Sequence, residues 1–184
     1  MTQNRRAIVL VPALALGLAS ACAGGGAWSA PPSGAPGAPE SRQAAAAARA
    51  FADARRAEVR FPGGRVIAAE IADTPERIMY GYMFRLEIGA EDGMVFVFPQ
   101  PGVHNFWMKN TLAPLDMIWM DDARVILHIQ AAAPPCRADP CPSYGPMRAA
   151  SYVLEVRAGT AAREGLKPGD RLTIVLPGEP GQAR

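Results

Sequence analysis

Short apolar runs broken by turn residues dominate the chain from residue 58 to residue 176. The runs fall at 58–61, 65–71, 93–98, 103–108, 115–120, 124–131, 151–156 and 171–176. Their lengths and the Gly, Pro and Asp residues that bound them predict β-strands. Pro62-Gly63-Gly64 reads as a hairpin-like turn between the first two runs. Asp121-Asp122-Ala123 joins 115–120 to 124–131, and Lys167-Pro168-Gly169-Asp170 has Pro and Gly where a type II turn wants them. The run Gly93-Met94-Val95-Phe96-Val97-Phe98 is apolar at both parities, which predicts a central strand covered on both faces. Asp73-Thr74-Pro75-Glu76 has the chemistry of a helix start: a polar N-cap, proline in the first turn and an acid near the positive end of the dipole. It predicts a helix over 75–83, and 159–165 predicts one or two further helical turns. About eight strands with one or two short helices and no internal repeat make a mainly β sandwich or barrel, not a parallel α/β sheet.

The two ends read differently from this middle. Arg5 and Arg6 precede an apolar, small-residue run over 7–19, which is too short to span a bilayer and reads as an export signal over 1–21. Two endings follow from Ala19-Ser20-Ala21-Cys22. Small residues flanking Ser20 suit ordinary signal peptidase and give a soluble periplasmic or secreted product. The same residues before Cys22 resemble a bacterial lipobox, in which the cysteine is acylated and anchors the protein to the membrane. Residues 22–57 then form a linker: 23–40 holds five Gly and four Pro among Ala and Ser, a composition that cannot bury a core. Within it, the Ala-rich stretch 41–56 reads either as a short helix or as more linker. The globular domain spans 58–176, and 177–184 is a polar Gly/Pro tail predicted to be disordered.

Charge and composition narrow the function. The 184 residues are 49% hydrophobic and 20% charged, enough for one domain with a core. A net charge of +2 without a Lys/Arg run argues against nucleic acid as a partner.

The least generic stretch is Phe106-Trp107-Met108-Lys109-Asn110-Thr111-Leu112-Ala113-Pro114-Leu115-Asp116. It predicts a strand that breaks at Lys109-Asn110-Thr111, where Asn and Thr side chains compete for backbone partners, and resumes at Leu115. Arg85, Lys109, Asn110, Thr111 and Asp116 are the polar groups this corner can gather. Arg and Lys suit an anion, Asn and Thr supply oriented donors, and Trp107 can stack on a ring. Tyr144, after the cysteine loop, can line the same pocket. The competing reading is a buried polar network in which Asp116 pairs with Arg85 or caps the Asn110-Thr111 turn.

Cys136 and Cys141, in a Pro-rich loop of an exported chain, predict a disulfide and not a redox centre, whose cysteines have two intervening residues. No metal site is predicted, because His104 and His128 lack close ligand spacing. The scattered methionines fit core packing better than Cu(I) ligation. No nucleophile elbow, zinc-protease helix or phosphate loop is present.

Several of these stretches occur together in one order. They are Ile71-Ala72-Asp73-Thr74-Pro75-Glu76-Arg77, Tyr82-Met83-Phe84-Arg85, Gly93-Met94-Val95-Phe96-Val97-Phe98-Pro99, Phe106-Trp107-Met108-Lys109-Asn110-Thr111, Pro114-Leu115-Asp116-Met117, Pro142-Ser143-Tyr144-Gly145 and Gly165-Leu166-Lys167-Pro168-Gly169-Asp170. This series resembles domain-of-unknown-function family 192, DUF 192, over 58–176. The resemblance implies a compact jelly-roll-like β domain and no established activity or cofactor. One departure stands out: Tyr80 and Tyr82 occupy positions where the family tends to carry a cation and an aliphatic residue, so an anion site there would rest on Arg85 alone.

The resulting expectation is a non-catalytic periplasmic lipoprotein. It would bind a small polar or anionic ligand, or an envelope protein, at Arg85, Trp107, Lys109, Asn110, Thr111, Asp116 and Tyr144. An envelope enzyme acting on carbohydrate or peptide through Asp116 and His128 is one alternative, and a purely structural scaffold is another.

Overall fold

A computed structural model describes residues 39–178. The expected export signal, Cys22, most of the linker and the end of the tail lie outside them. The elements run α1 (Pro39–Ala50), β1 (Arg56–Arg60), β2 (Val66–Ala72), α2 (Pro75–Tyr80), β3 (Asp92–Gly102), β4 (Phe106–Trp107), β5 (Leu115–Met120), β6 (Ile126–Ala133), β7 (Ser143–Tyr144), β8 (Ala150–Arg157), α3 (Thr160–Arg163) and β9 (Thr173–Val175). Seven strands form one sheet in the order β6-β5-β8-β3-β2-β1-β9, and β4 pairs with β7 in a separate ribbon.

The mainly β expectation holds, and the sheet curls into a half-barrel. At one end its edges meet: Val125 bridges Arg171, Ile126 N–H donates to the Asp170 carbonyl at 2.7 Å, and Gly169 N–H donates to the Ile126 carbonyl at 2.9 Å. The Lys167–Asp170 turn read from the sequence therefore delivers the chain to this seam. Inside the curl lie Val59, Phe61, Ile67, Ile71, Val95, Ile118, Leu154 and Ile174, all buried. The outer face of the central strands is buried as well, with Met94, Phe96, Met117, Trp119 and Val153 in a second apolar layer with Tyr82, Ile88 and Met108. Two covered faces explain why β5, Leu-Asp-Met-Ile-Trp-Met, is buried at all six positions and shows no alternation.

What covers the outer face is the connection between β2 and β3. These strands are parallel, a pairing the sequence reading did not anticipate, and parallel neighbours require a crossover. Residues 73–91 supply it. Thr74 caps α2 by accepting from Arg77 N–H at 3.3 Å, with Pro75 following in the first turn. The helix ends at Tyr80, short of the predicted 83, because Gly81 turns out of it at φ 48°. A side chain at Gly81 would begin 3.2 Å from the Phe96 ring, so glycine answers both the backbone conformation and the close approach.

The Ala-rich stretch resolves as a helix over Pro39–Ala50, which buries Ala47 and brings Phe51 against the second apolar layer. Among the described residues, no helix is long and apolar enough to cross a membrane.

Candidate functional site

The predicted corner exists, and backbone bonds knit it to two other segments. Asn110 sits at φ 55°, and its carbonyl accepts from Phe84 N–H at 2.8 Å. The Met108 carbonyl accepts from Thr111 N–H at 3.2 Å and from Cys136 N–H at 3.3 Å. The corner thus holds the crossover on one side and the cysteine loop on the other. Cys136 and Cys141 are joined, with sulfurs 2.11 Å apart.

The side chains proposed for one site are dispersed. Arg85 is held by Glu70 through two hydrogen bonds of 2.8 and 2.7 Å and lies over the Phe51 and Tyr82 rings. The Glu70 carboxylate drives its pKa further up. Lys109 donates to Asp139 at 2.6 Å. Asp116 is fully buried and accepts from Ala132 N–H and Ala161 N–H, each at 2.8 Å, so one carboxylate ties β6 and the first turn of α3 to β5. It pairs with neither Arg85 nor the Asn110-Thr111 turn. Asp116 also shares a strand face with Ile118 and Met120, whereas the His128 ring packs 5.5 Å from Trp119 on the opposite face, so the suggested acid–base pair does not assemble. Four of the methionines, Met94, Met108, Met117 and Met120, are wholly buried in the apolar core.

Two of the predicted residues line one cleft, and a third, Tyr144, pairs with a strand that borders it. Trp107, 55% exposed, and Thr111 line a cleft of ≈ 400 Å³ between the crossover and β4, and Tyr144 in β7 pairs with Phe106, which forms the wall between them. Tyr82, Phe96, Phe98 and Phe106 supply rings. Phe106 meets Phe96 edge-on at 4.7 Å between centroids and Phe98 at 6.5 Å. Met79, Val103 and Trp107 leave an exposed apolar rim at the mouth.

The polar groups in this cleft include Thr111, Tyr82 and His104, together with Glu155, which the sequence did not single out. Glu155, in the middle of β8, is 4% exposed, and its Oε2 has no hydrogen-bond partner. Its strand neighbours are Met94 and Met117, and burial pushes its carboxyl up to about 8. His104 stacks flat on Phe98 at 3.5 Å, and its Nε2 is likewise unpartnered. Burial lowers its pKa, opposed by the nearby carbonyls of Gln100 and Ala150. Tyr82 is held well above the usual phenol range by burial and by the Glu155 charge. A lone charged residue inside the apolar run Val153-Leu154-Glu155-Val156 was the available signal. In a strand covered on both faces, such a residue has no solvated side to occupy.

Apolar walls, a few convergent polar atoms and a perturbed carboxyl are the general attributes of a small-molecule site. The Cys136–Asp139–Cys141 group, in contrast, has both sulfurs committed to the disulfide, leaving no thiolate for a metal.

Comparison with known proteins agrees with this architecture. A protein of unknown function from Novosphingobium aromaticivorans is 36% identical, with 65% of this chain and 84% of that one covered and a TM-score of 0.58. A protein from Sinorhizobium meliloti described as a "putative transcription regulator" is 33% identical, with 65% and 92% covered and a TM-score of 0.58. No curated protein matches. The profile of DUF192, an uncharacterized ACR family, matches residues 58–174, nearly the whole β domain. The chain belongs to the DUF192 family.

Proposed function

We propose that this protein is an exported, membrane-anchored binding domain that takes a small, largely apolar ligand into the cleft between the crossover and β4. The observation that carries the reading is the unpartnered Glu155 Oε2 inside a ring-lined cleft. A buried polar atom without a partner is costly, and a ligand that supplies the missing hydrogen bond recovers that cost on binding. The cleft replaces the Arg85–Lys109–Asp116 surface as the preferred site, because those three side chains already have protein partners. It also changes the ligand expected: among the described residues no Lys or Arg lines the cleft, and the lining does not favour an anion.

Export and anchoring rest on Arg5, Arg6, the apolar run and Cys22, and the Cys136–Cys141 bond suits an oxidising compartment. Cys22→Ser should move the protein from the membrane to the soluble fraction. Retention of the variant on membranes would remove the anchor from the proposal.

Trp107 reports on occupancy because it stands half in water at the mouth. Titration with small ring-bearing compounds should shift its emission to the blue, with a matching rise in Tm. The shift should vanish in Trp107→Phe, while the rise in Tm persists. Unchanged emission and Tm across such compounds would refute the cleft as a ligand site.

A further inference from the structure

We infer that the ligand of this cleft is a small organic cation, an ammonium group carrying an apolar or aromatic substituent, held by the Glu155 carboxylate among aromatic faces. The inference rests on the cleft being the ligand site and goes on to assign the ligand's charge. Three observations lead to it.

The first is the charge inventory around Glu155. The strands beside it present Met94, Phe96 and Met117, which do not titrate. From the crossover come Tyr80 and Tyr82, and His104 comes from the segment before β4. Tyr82 is held in its neutral form by burial, and burial also disfavours the charged form of His104. Arg85, whose guanidinium lies over the Tyr82 ring, is turned to Glu70 by its two hydrogen bonds. Among the described residues the cleft wall therefore provides an acidic group and no Lys or Arg to match it.

The second is the wall itself. Aromatic faces attract cations through the ring quadrupole, most strongly where water is excluded. Tyr82, Phe96, Phe98, Phe106 and Trp107 all line one cleft. A neutral apolar ligand would also fill that space, but it would leave Glu155 as it stands, buried and with Oε2 unpartnered. An anion would meet a carboxyl group and the negative faces of the rings.

The third is proximity. The Cβ direction of Gly81 points to the Phe96 ring at 3.2 Å and to Glu155 Oε2 at 3.7 Å, so the carboxylate and an aromatic face border the same space. The burial that keeps the Glu155 proton in place is what a bound cation would reverse: ligand in, proton out. At the wild-type cleft, binding and proton release are one event.

The test uses three compounds with one skeleton and three charges, namely 2-phenylethylammonium, 2-phenylethanol and phenylacetate, titrated calorimetrically into the full chain. The ammonium compound should bind at least roughly tenfold more tightly than the alcohol, and phenylacetate should not bind. Between about pH 6 and about pH 9 the ammonium affinity should rise roughly tenfold or more, as Glu155 gives up its proton more readily. At the lower pH, heats in buffers of different ionisation enthalpy should show about one proton released per ligand bound.

Glu155→Gln should weaken the ammonium compound by at least roughly tenfold and abolish the proton release, with little effect on the alcohol. Trp107→Ala, at an exposed position that the fold does not need, should weaken the ammonium compound several-fold. Equal binding of alcohol and ammonium with no proton release would overturn the cation assignment and leave the cleft as a site for neutral ligands. Silence from all three compounds, with Trp107 emission still responding to other ring-bearing molecules, would overturn it in the same way.

Discussion

Replacing Glu155 by Gln isolates the energetic consequence of burying a carboxyl group in the outer apolar layer. Burial raises this group from an ordinary 4.5 to about 8. Between those values the folded chain holds a proton that the unfolded chain has released, so stability declines as pH rises. The favourable contribution is complete below the unfolded value and is lost through the folded one. Each pKa unit corresponds to about 1.4 kcal/mol, so full ionisation costs up to about 5 kcal/mol, most of it between about pH 5 and pH 8. That is a large share of the 5–15 kcal/mol that holds a typical domain together.

Gln keeps the shape and cannot ionise. Urea unfolding at about pH 5, 7 and 9 should show the wild type losing several kcal/mol relative to the variant, with equal m-values. The difference between the two proteins removes the contribution of His104, whose lowered pKa acts in the opposite sense: its stabilisation is complete above the ordinary imidazole value and is lost as pH falls through the lowered one. Parallel pH profiles for wild type and variant would refute the reasoning, because Glu155 would then ionise in the folded protein as it does in water.

Other predictions concern the framework. Asp116→Ala should cost about 2–4 kcal/mol in urea unfolding, since it strands the buried Ala161 N–H and takes the partner from the part-buried Ala132 N–H. Lys109→Ala, whose partner Asp139 is exposed, should stay within about 0.5 kcal/mol, and equal losses for the two would contradict the burial argument. Cys136→Ser opens a short loop and should lower stability by about 2 kcal/mol on the chain-entropy estimate, with the same fall in the wild type on reduction.

How far the sequence carried this reading depends on the range over which the physics acts. Strand 115–120 and the hairpin turns were legible because apolar runs and Gly/Pro punctuation act locally. The corner at Lys109-Asn110-Thr111 was legible for the same reason, although the left-handed conformation of Asn110 came only from the structure. The strand expected over 103–108 shrank to two residues, because His104 and Asn105 turn to line the cleft and do not pair along the sheet. Distribution of the polar side chains was another matter. Asp116 finds a partner 45 residues away at Ala161, and Arg85, in the crossover, finds one at Glu70 on β2. Tertiary placement alone decides such pairings. Glu155 was visible as a lone acid in an apolar run, but its significance emerged only when the crossover proved to cover that face.

The crossover is held to the half-barrel's outer layer by buried side chains, but the opposite wall of the cleft includes β4, paired only with β7 in a ribbon of two residues per strand outside the main sheet. In amide hydrogen exchange, Phe106 and Tyr144 should lose protection long before the β5 amides, which are laddered on both sides. Cleft width and barrel integrity then belong to separate opening units. On the ligand proposal, the ribbon would open to admit a ligand while the half-barrel stays folded, and occupancy would register as slowed exchange in the ribbon, with global unfolding the slower and distinct event.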